Sequence, residues 1–151
     1  MQSSNSIPAP ARLLGLSGLL PQLLCLGTAL LDPVPPDTSG FAALGLVYAA
    51  LILSFLGGLW WMAALLQGLS QTWPYLVAVV PSLLGWIALW PLAIGFDGIG
   101  TSLVLVGLLL LATPLVDRHL AKRITLPEGW IRLRVIMATG LGTLTLSLGL
   151  I

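Results

Sequence analysis

Five apolar runs, each about as long as a bilayer core is thick, set the terms for this chain: about 12–31, 40–67, 73–95, 99–116 and 130–151. A helix needs roughly 17–25 apolar residues to cross the hydrocarbon layer, and each run comes close to that length. The second is longer, which calls for tilt or projection into the headgroups. Polar and apolar residues do not alternate in runs such as "LVLVGLLLLA", so a membrane β-barrel is excluded. Only 7% of the 151 residues are charged, against about 25% in soluble domains, too few to cover a water-facing surface. The pattern predicts an all-α integral membrane bundle of five transmembrane helices. Residues 12–151 form a single domain, preceded by a disordered polar tail at 1–11, "MQSSNSIPAPA".

The breaks between runs have local causes. "LDPVPPDTSG" carries three prolines and two aspartates, which no helix continues through. "GLSQT" and "GFDGIG" are short turns, and "TWPY" places a proline and interfacial aromatics at the start of the third run. The joint length of the third and fourth runs favours two spans over one re-entrant unit. The first run resembles a secretory leader, but no small-x-small cleavage site precedes "DPVPPD", so it reads as a retained span. Cys25 is the single cysteine and lies among leucines. It offers no intrachain disulfide and reads as a small apolar residue of a helix.

Charge placement orients the bundle. Arg12 precedes the first span, and Arg118, Lys122, Arg123, Arg132 and Arg134 border the last loop; the other loops hold Asp32, Asp37 and Asp97 and no Lys or Arg. With five spans, the N-terminus and the second and fourth loops share one side. The positive-inside rule makes that side cytoplasmic and puts Ile151 in the periplasm. The expected location is the bacterial inner membrane. Arg118, Lys122, Arg123, Arg132 and Arg134 are candidate contacts for anionic lipid headgroups. A net charge of +1 gives no case for nucleic acid.

Chemistry-bearing residues are sparse. His119 is the single histidine, so neither a bis-histidine haem nor a histidine metal site is expected, and no cofactor follows. No ionisable residue is expected at depth inside a span, which argues against a proton pathway. Gln22 is placed to hydrogen-bond a neighbouring helix, while Gln67 reads as interfacial. Pro21 and Pro81 fall inside spans one and three and predict kinks. "TLPE" at 125–128 resembles a capping box, with Thr125 as N-cap and Glu128 reaching back and pairing with Arg132.

The stretch "SFLGGLWWMAAL" at 54–65 is the most distinctive. Ala50, Ser54 and Gly58, with Gly57 adjacent, make a stripe of small residues on span two. In lipid, close backbone approach has to supply the helix association that hydrophobicity cannot. Trp61 lies near this stripe; Trp60 points roughly 100° away. The stripe, with Trp61, reads as a helix crossing. Trp60, Trp61, Trp86 and Trp90 are the alternative reading, an aromatic wall for a flat apolar ligand. Ala138 and Gly142, then Thr145 and Gly149, echo the stripe in span five.

"SFLGG-x-x-W", here Ser54 to Gly58 and Trp61, resembles the signature of the domain-of-unknown-function 3429 family, which the same resemblance links to the eukaryotic transmembrane protein 69. "LP" at 126–127 and "RLR" at 132–134 resemble its "LP-x-W-Y-x-R-L-R" segment. The chain departs from that pattern at Trp60, where the resemblance expects His or Arg, and at Gly129 and Trp130, which stand at the "W-Y" pair. The resemblance implies a small multi-pass protein of a bacterial or mitochondrial inner membrane and no established activity.

The residues support a noncatalytic membrane protein that packs with lipid, with itself or with other membrane subunits. The alternative is a binder or carrier of an apolar small molecule such as a lipid or quinone. An enzyme is the least supported reading, because no acid, base or metal set can be named. A periplasm-dependent reporter fused after Ile151 is expected to be active; activity restricted to a cytoplasmic reporter would refute the five-span topology.

Overall fold

The computed structural model describes residues 6–31, 38–95 and 97–151. Seven helices make five membrane-length units: α1 (Ala9–Ser17) with α2 (Leu20–Leu31), α3 (Thr38–Leu66), α4 (Thr72–Ala88) with α5 (Trp90–Ile94), α6 (Ile99–Ala121) and α7 (Trp130–Leu150). Among the described residues, the extended structure amounts to one isolated bridge, Ser6 with Glu128. The architecture is the all-α one expected. Large apolar side chains such as Leu24, Phe55, Leu83, Leu108 and Leu115 lie more than half exposed on the outer faces. A water-facing surface does not tolerate such a belt, and the chain is a multi-pass membrane protein.

The boundaries differ from expectation in informative ways. Helix α1 starts at Ala9, inside the segment read as a tail, because Pro10 in its first turn lacks only an N–H that would be unbonded there anyway. Residues 1–5 of that tail, and "DPVPPD" at 32–37, lie outside the described residues. Pro21 does not kink a helix from within. It sits in the first turn of α2, and the chain breaks just before it, at Gly18–Leu19. Pro81 is interior to α4, as expected, and is buried; the same span breaks again at Leu89 before Pro91. Helix α6 runs past 116 to Ala121, with Arg118 and His119 in its last turn, where cations suit the negative end of the helix dipole.

The capping box does not form. The N-cap of α7 is Gly129, with φ 82°, so Glu128 precedes the helix instead of occupying its third position. Thr125 is exposed outside the helix, and Glu128 makes no ion pair with Arg132. Pro127 forces this outcome. Its carbonyl accepts from Trp130 N–H, and the left-handed turn at Gly129, open to glycine at little steric cost, then starts the helix.

Two antiparallel seams of small residues hold the bundle together. Between α3 and α4, a Cβ on Gly57 would collide with the Ala78 carbonyl, and a Cβ on Gly85 would lie 3.2 Å from the Ala50 carbonyl oxygen. The Ser54 and Ser82 hydroxyls hydrogen-bond at 2.9 Å between these two contacts. Between α6 and α7, Gly107 faces Gly142, each added Cβ coming within 3.0 Å of the other's carbonyl oxygen, and Gly100 faces Gly149. In each seam the two contacts are one heptad apart. The core at the crossing of α3, α6 and α7 is filled by Leu46, Leu53, Leu103, Val106, Leu110, Leu141 and Leu148. Helix α2 lies on α3 and α7 and buries Cys25 and Gln22.

Two packing expectations need correction. Gly58 is exposed, with nothing within 4 Å of where its Cβ would be; Gly57 is the seam residue. The cause is the helical period. Eight residues from Ala50 to Gly58 rotate the face by about 80°, whereas seven to Gly57 leave it about 20° off. Gln22 is fully buried, and its amide, which lies beside Gly45, has no hydrogen-bond partner among the described residues. Trp61 is 41% exposed and meets α4 edge-on at Tyr75, with ring centroids 5.1 Å apart.

The seam yields a paired prediction. Gly57→Leu should destabilise the bundle by about 1–3 kcal/mol or more, as overpacking does, and lower its melting temperature in detergent. Gly58→Leu should leave that temperature nearly unchanged. Equal effects from both substitutions would contradict this seam.

Candidate functional site

Helix α6 buries one continuous stripe: Leu103, Val106, Leu110, Thr113 and Leu120, with Asp117 in line. Helix α7 buries Arg134, Ala138, Leu141, Thr145 and Leu148. The antiparallel glycine seam sets the register of the two stripes, and at its inner end Asp117 and Arg134 come together. Arg134 Nε donates to Asp117 Oδ2 at 2.9 Å, with both side chains only 5% exposed. From α3, Trp60 donates its indole Nε1–H to Asp117 Oδ1 at 2.8 Å. Each carboxylate oxygen thus accepts a bond at charge-assisted length, and three helices meet on one carboxylate.

An unpaired charge at such a position carries a desolvation penalty of several kcal/mol, and pairing is what makes burial tolerable. The unit is neutral overall. The terminal nitrogen Nη2 of Arg134 is buried and has no hydrogen-bond partner among the described residues. A cavity of about 40 Å³ adjoins the pair, walled by Trp60, Ile124, Leu126 and Trp130 among others.

Arg134 also lies in the wall of a much larger cavity, of about 340 Å³. Its other walls come from α1 (Leu14, Gly15), the Gly18–Leu19 break, α3 (Ile52, Phe55, Leu56), α6 (Leu110) and α7 (Met137, Ala138, Leu141). The break in the first span accounts for this space. It directs α1 along α7, while α2 packs on both α3 and α7. The Gly18 carbonyl, left without an in-helix partner, accepts from the Tyr48 hydroxyl of α3. Leu14 and Phe55, 73% and 61% exposed, mark the mouth, which opens sideways toward lipid.

The expected aromatic wall is not assembled. Trp60 points inward to Asp117, and Trp61 points outward to Tyr75. Trp86 and Trp90 stack edge-to-face on the outer surface at 5.3 Å. Adjacent residues on one helix cannot share a face, and Trp86 and Trp90 belong to outward faces on either side of the Leu89 break. Trp60 lines two cavities: the small one beside Asp117, and one of about 170 Å³ between α3, α4 and α6.

The basic residues divide in two. Arg118, Lys122, Arg123 and Arg132 are exposed at one end of the bundle. Arg123 Nη1 donates to Gln71 Oε1 at 2.6 Å and lies 5.4 Å from the centre of the Trp73 ring. Arg12, Arg132 and Glu128 line a cleft of about 360 Å³ at that same end. Arg134 does not belong to this surface set; the seam register carries it into the bundle. Asp117 lies just past the fourth apolar run at 99–116, and this pair is what sequence reasoning missed. The signal was present: Asp117 continues the three-and-four spacing of Leu103, Val106, Leu110 and Thr113, and Arg134 stands four residues before Ala138 and eight before Gly142.

Arg134→Met alone should destabilise the bundle by about 3–5 kcal/mol, since it strands a buried carboxylate. The double variant Asp117→Leu/Arg134→Met should recover most of that loss. A double-mutant cycle on melting temperature in detergent measures the coupling. Additive losses would mean that the two residues do not act as a pair.

Comparison with curated proteins returned no match, and comparison with solved structures returned none. A family model does match, over residues 7–150, nearly the whole chain and every element of the bundle described above, and its description is "Protein of unknown function (DUF3429)". The chain belongs to that family.

Proposed function

We propose that this is a noncatalytic multi-pass membrane protein that holds an apolar small molecule of the lipid phase, a lipid or a quinone, between α1, α3 and α7. The observation that carries the reading is the lipid-open cavity of about 340 Å³, within the range of about 300–1,000 Å³ usual for small-molecule sites. Apart from Arg134 its wall side chains are apolar, so entry from the bilayer requires no crossing of a polar surface. A role in assembly with other subunits, or with itself, draws less support, because the small-residue seam that suggested it is occupied by α4 of the same chain.

The ends of the bundle support an orientation. Ser6 pairs with Glu128 and Gln71 with Arg123, so the N-terminal segment, the second loop and the fourth loop gather at one end. That end carries Arg12, Arg118, Lys122, Arg123 and Arg132. By the positive-inside rule it is the cytoplasmic one, with the C-terminus periplasmic in a bacterial inner membrane. Arg118, Lys122, Arg123 and Arg132 then lie at the level of anionic headgroups, where each contributes about 1 kcal/mol of attraction.

Native mass spectrometry of gently extracted protein tests the ligand reading. The wild type is expected to retain about one small molecule per chain. Gly15→Leu should release it by filling the cavity. A Cβ at Gly15 would lie 3.2 Å from the flexible Met137 sulfur, which can yield, and leucine is the better helix former, so the variant is expected to fold. A bare chain in both proteins, or a ligand retained equally by both, would overturn the reading.

A further inference from the structure

We infer that the cleft of about 360 Å³ between α1 and α7 holds one anionic phospholipid, its phosphate between Arg12 and Arg132 and an acyl chain running past Leu16 and Ile136. The inference rests on the reading of the basic end given above and narrows it from a charged surface to one site. It does not involve the lipid-open cavity, with which this cleft shares no lining residue.

Two parallel helix starts build the cleft. Ser6 bridges to Glu128, Gly15 lies against Met137 and Leu19 against Gly140, so α1 and α7 both run inward from the basic end. On each helix an arginine stands about one turn before an aliphatic residue, Arg12 before Leu16 and Arg132 before Ile136. Residues four apart share a helix face. Each helix therefore lays the same pair along the wall, a cation at the outer end and an aliphatic side chain deeper. Both arginines are exposed, and Ile136 is 47% exposed, so a ligand reaches the guanidiniums and the apolar wall together. That order is the order of a phospholipid, with phosphate at the interface and hydrocarbon below it. A free phosphate ion has no use for the aliphatic half of the wall.

Charge then selects the headgroup. Among the described residues neither arginine pairs with a carboxylate. Glu128 lines the same cleft, so its walls carry two positive charges and one negative. A phosphodiester of single negative charge brings the sum to zero, whereas a zwitterionic headgroup leaves the excess positive charge in place. The guanidinium fork suits phosphate oxygens. Gly129, the N-cap of α7, adds the positive end of a long helix to the same wall. Phosphatidylglycerol is the simplest lipid with this chemistry, and its headgroup hydroxyls can donate to Glu128.

The test titrates the full, delipidated chain in detergent micelles and reads the first bound lipid by native mass spectrometry. The probes are dioleoylphosphatidylglycerol, dioleoylphosphatidylethanolamine and inorganic phosphate. Phosphatidylglycerol is expected to bind once, about tenfold more tightly than phosphatidylethanolamine. Arg12→Gln and Arg132→Gln should each weaken that binding about tenfold, as loss of a charged hydrogen bond does. Both positions are exposed, so both variants are expected to fold. Glu128→Gln should tighten binding, a gain that misfolding does not mimic. Arg118→Gln/Lys122→Gln removes two charges from the same end but none from the cleft, and should leave the affinity nearly unchanged. An equal loss in that control would overturn the site while leaving the basic-end reading standing. Equal binding of phosphatidylethanolamine, displacement of the lipid by an equal concentration of inorganic phosphate, or no retained phospholipid would overturn the anionic-lipid occupant. Gly15→Leu, which fills the lipid-open cavity, should not alter phospholipid binding; loss in that variant would place the lipid in the other cavity and overturn the cleft.

Discussion

Helices in a bilayer gain nothing from hiding leucine from lipid, so this bundle depends on how closely its backbones approach. Gly57 against Ala78, Ala50 against Gly85, Gly107 against Gly142 and Gly100 against Gly149 are the places where that approach happens. Each contact brings main chain against main chain, and the leucines of the core then interlock at interior density. The two seams are antiparallel and heptad-spaced, so they set axial register as well as distance. Register is what brings a carboxylate on α6 level with a guanidinium on α7.

The Asp117–Arg134–Trp60 cluster is a consequence of that register and in turn restrains it. A slip of one residue along the α6–α7 seam would turn the two charges away from each other and leave both unpaired in a poorly solvated place. Buried ion pairs add little net stability over an apolar packing of the same shape, but they penalise misalignment heavily. Trp60 extends the restraint to α3 through a single donor. Trp60, at the position where the family resemblance expects His or Arg, aims an N–H at Asp117 from an indole that can be buried without adding charge.

Most of the architecture was legible because five apolar runs admit few arrangements in lipid. The spans, their order and the single basic end all followed from run length and charge placement. The seam on α3 was legible only in part. A four-residue spacing pointed to Gly58, but two helices in extended contact follow the heptad, and over eight residues the difference carries the face about 80° away. The capping box failed for a different reason. "TLPE" has the right residues, but Pro127 and a left-handed Gly129 move the helix start beyond them. The ion pair was hidden because hydropathy treats a charge as the end of a span. Asp117 ends the apolar run yet continues the buried stripe, and only the stripe, read through the charge, places it inside.

The cavity and the ion pair are linked through one side chain. Arg134 uses Nε on Asp117 and has Nη2 to spare, and it belongs to the walls of both the small cavity and the lipid-open one. Arginine suits a buried ion pair better than lysine, because its guanidinium is more weakly hydrated and its planar fork is pre-organised. Here Nε alone is bonded to the carboxylate. On the proposed reading, a ligand in the lipid-open cavity stabilises the assembled bundle by mass action. The break at Gly18–Leu19 lets α1 stand clear of α3 without loosening the α6–α7 register, since α2 and not α1 carries the packing of the first span on α3. The first span thus divides its work: its second half closes the core, and its first half forms one wall of the lipid-open cavity.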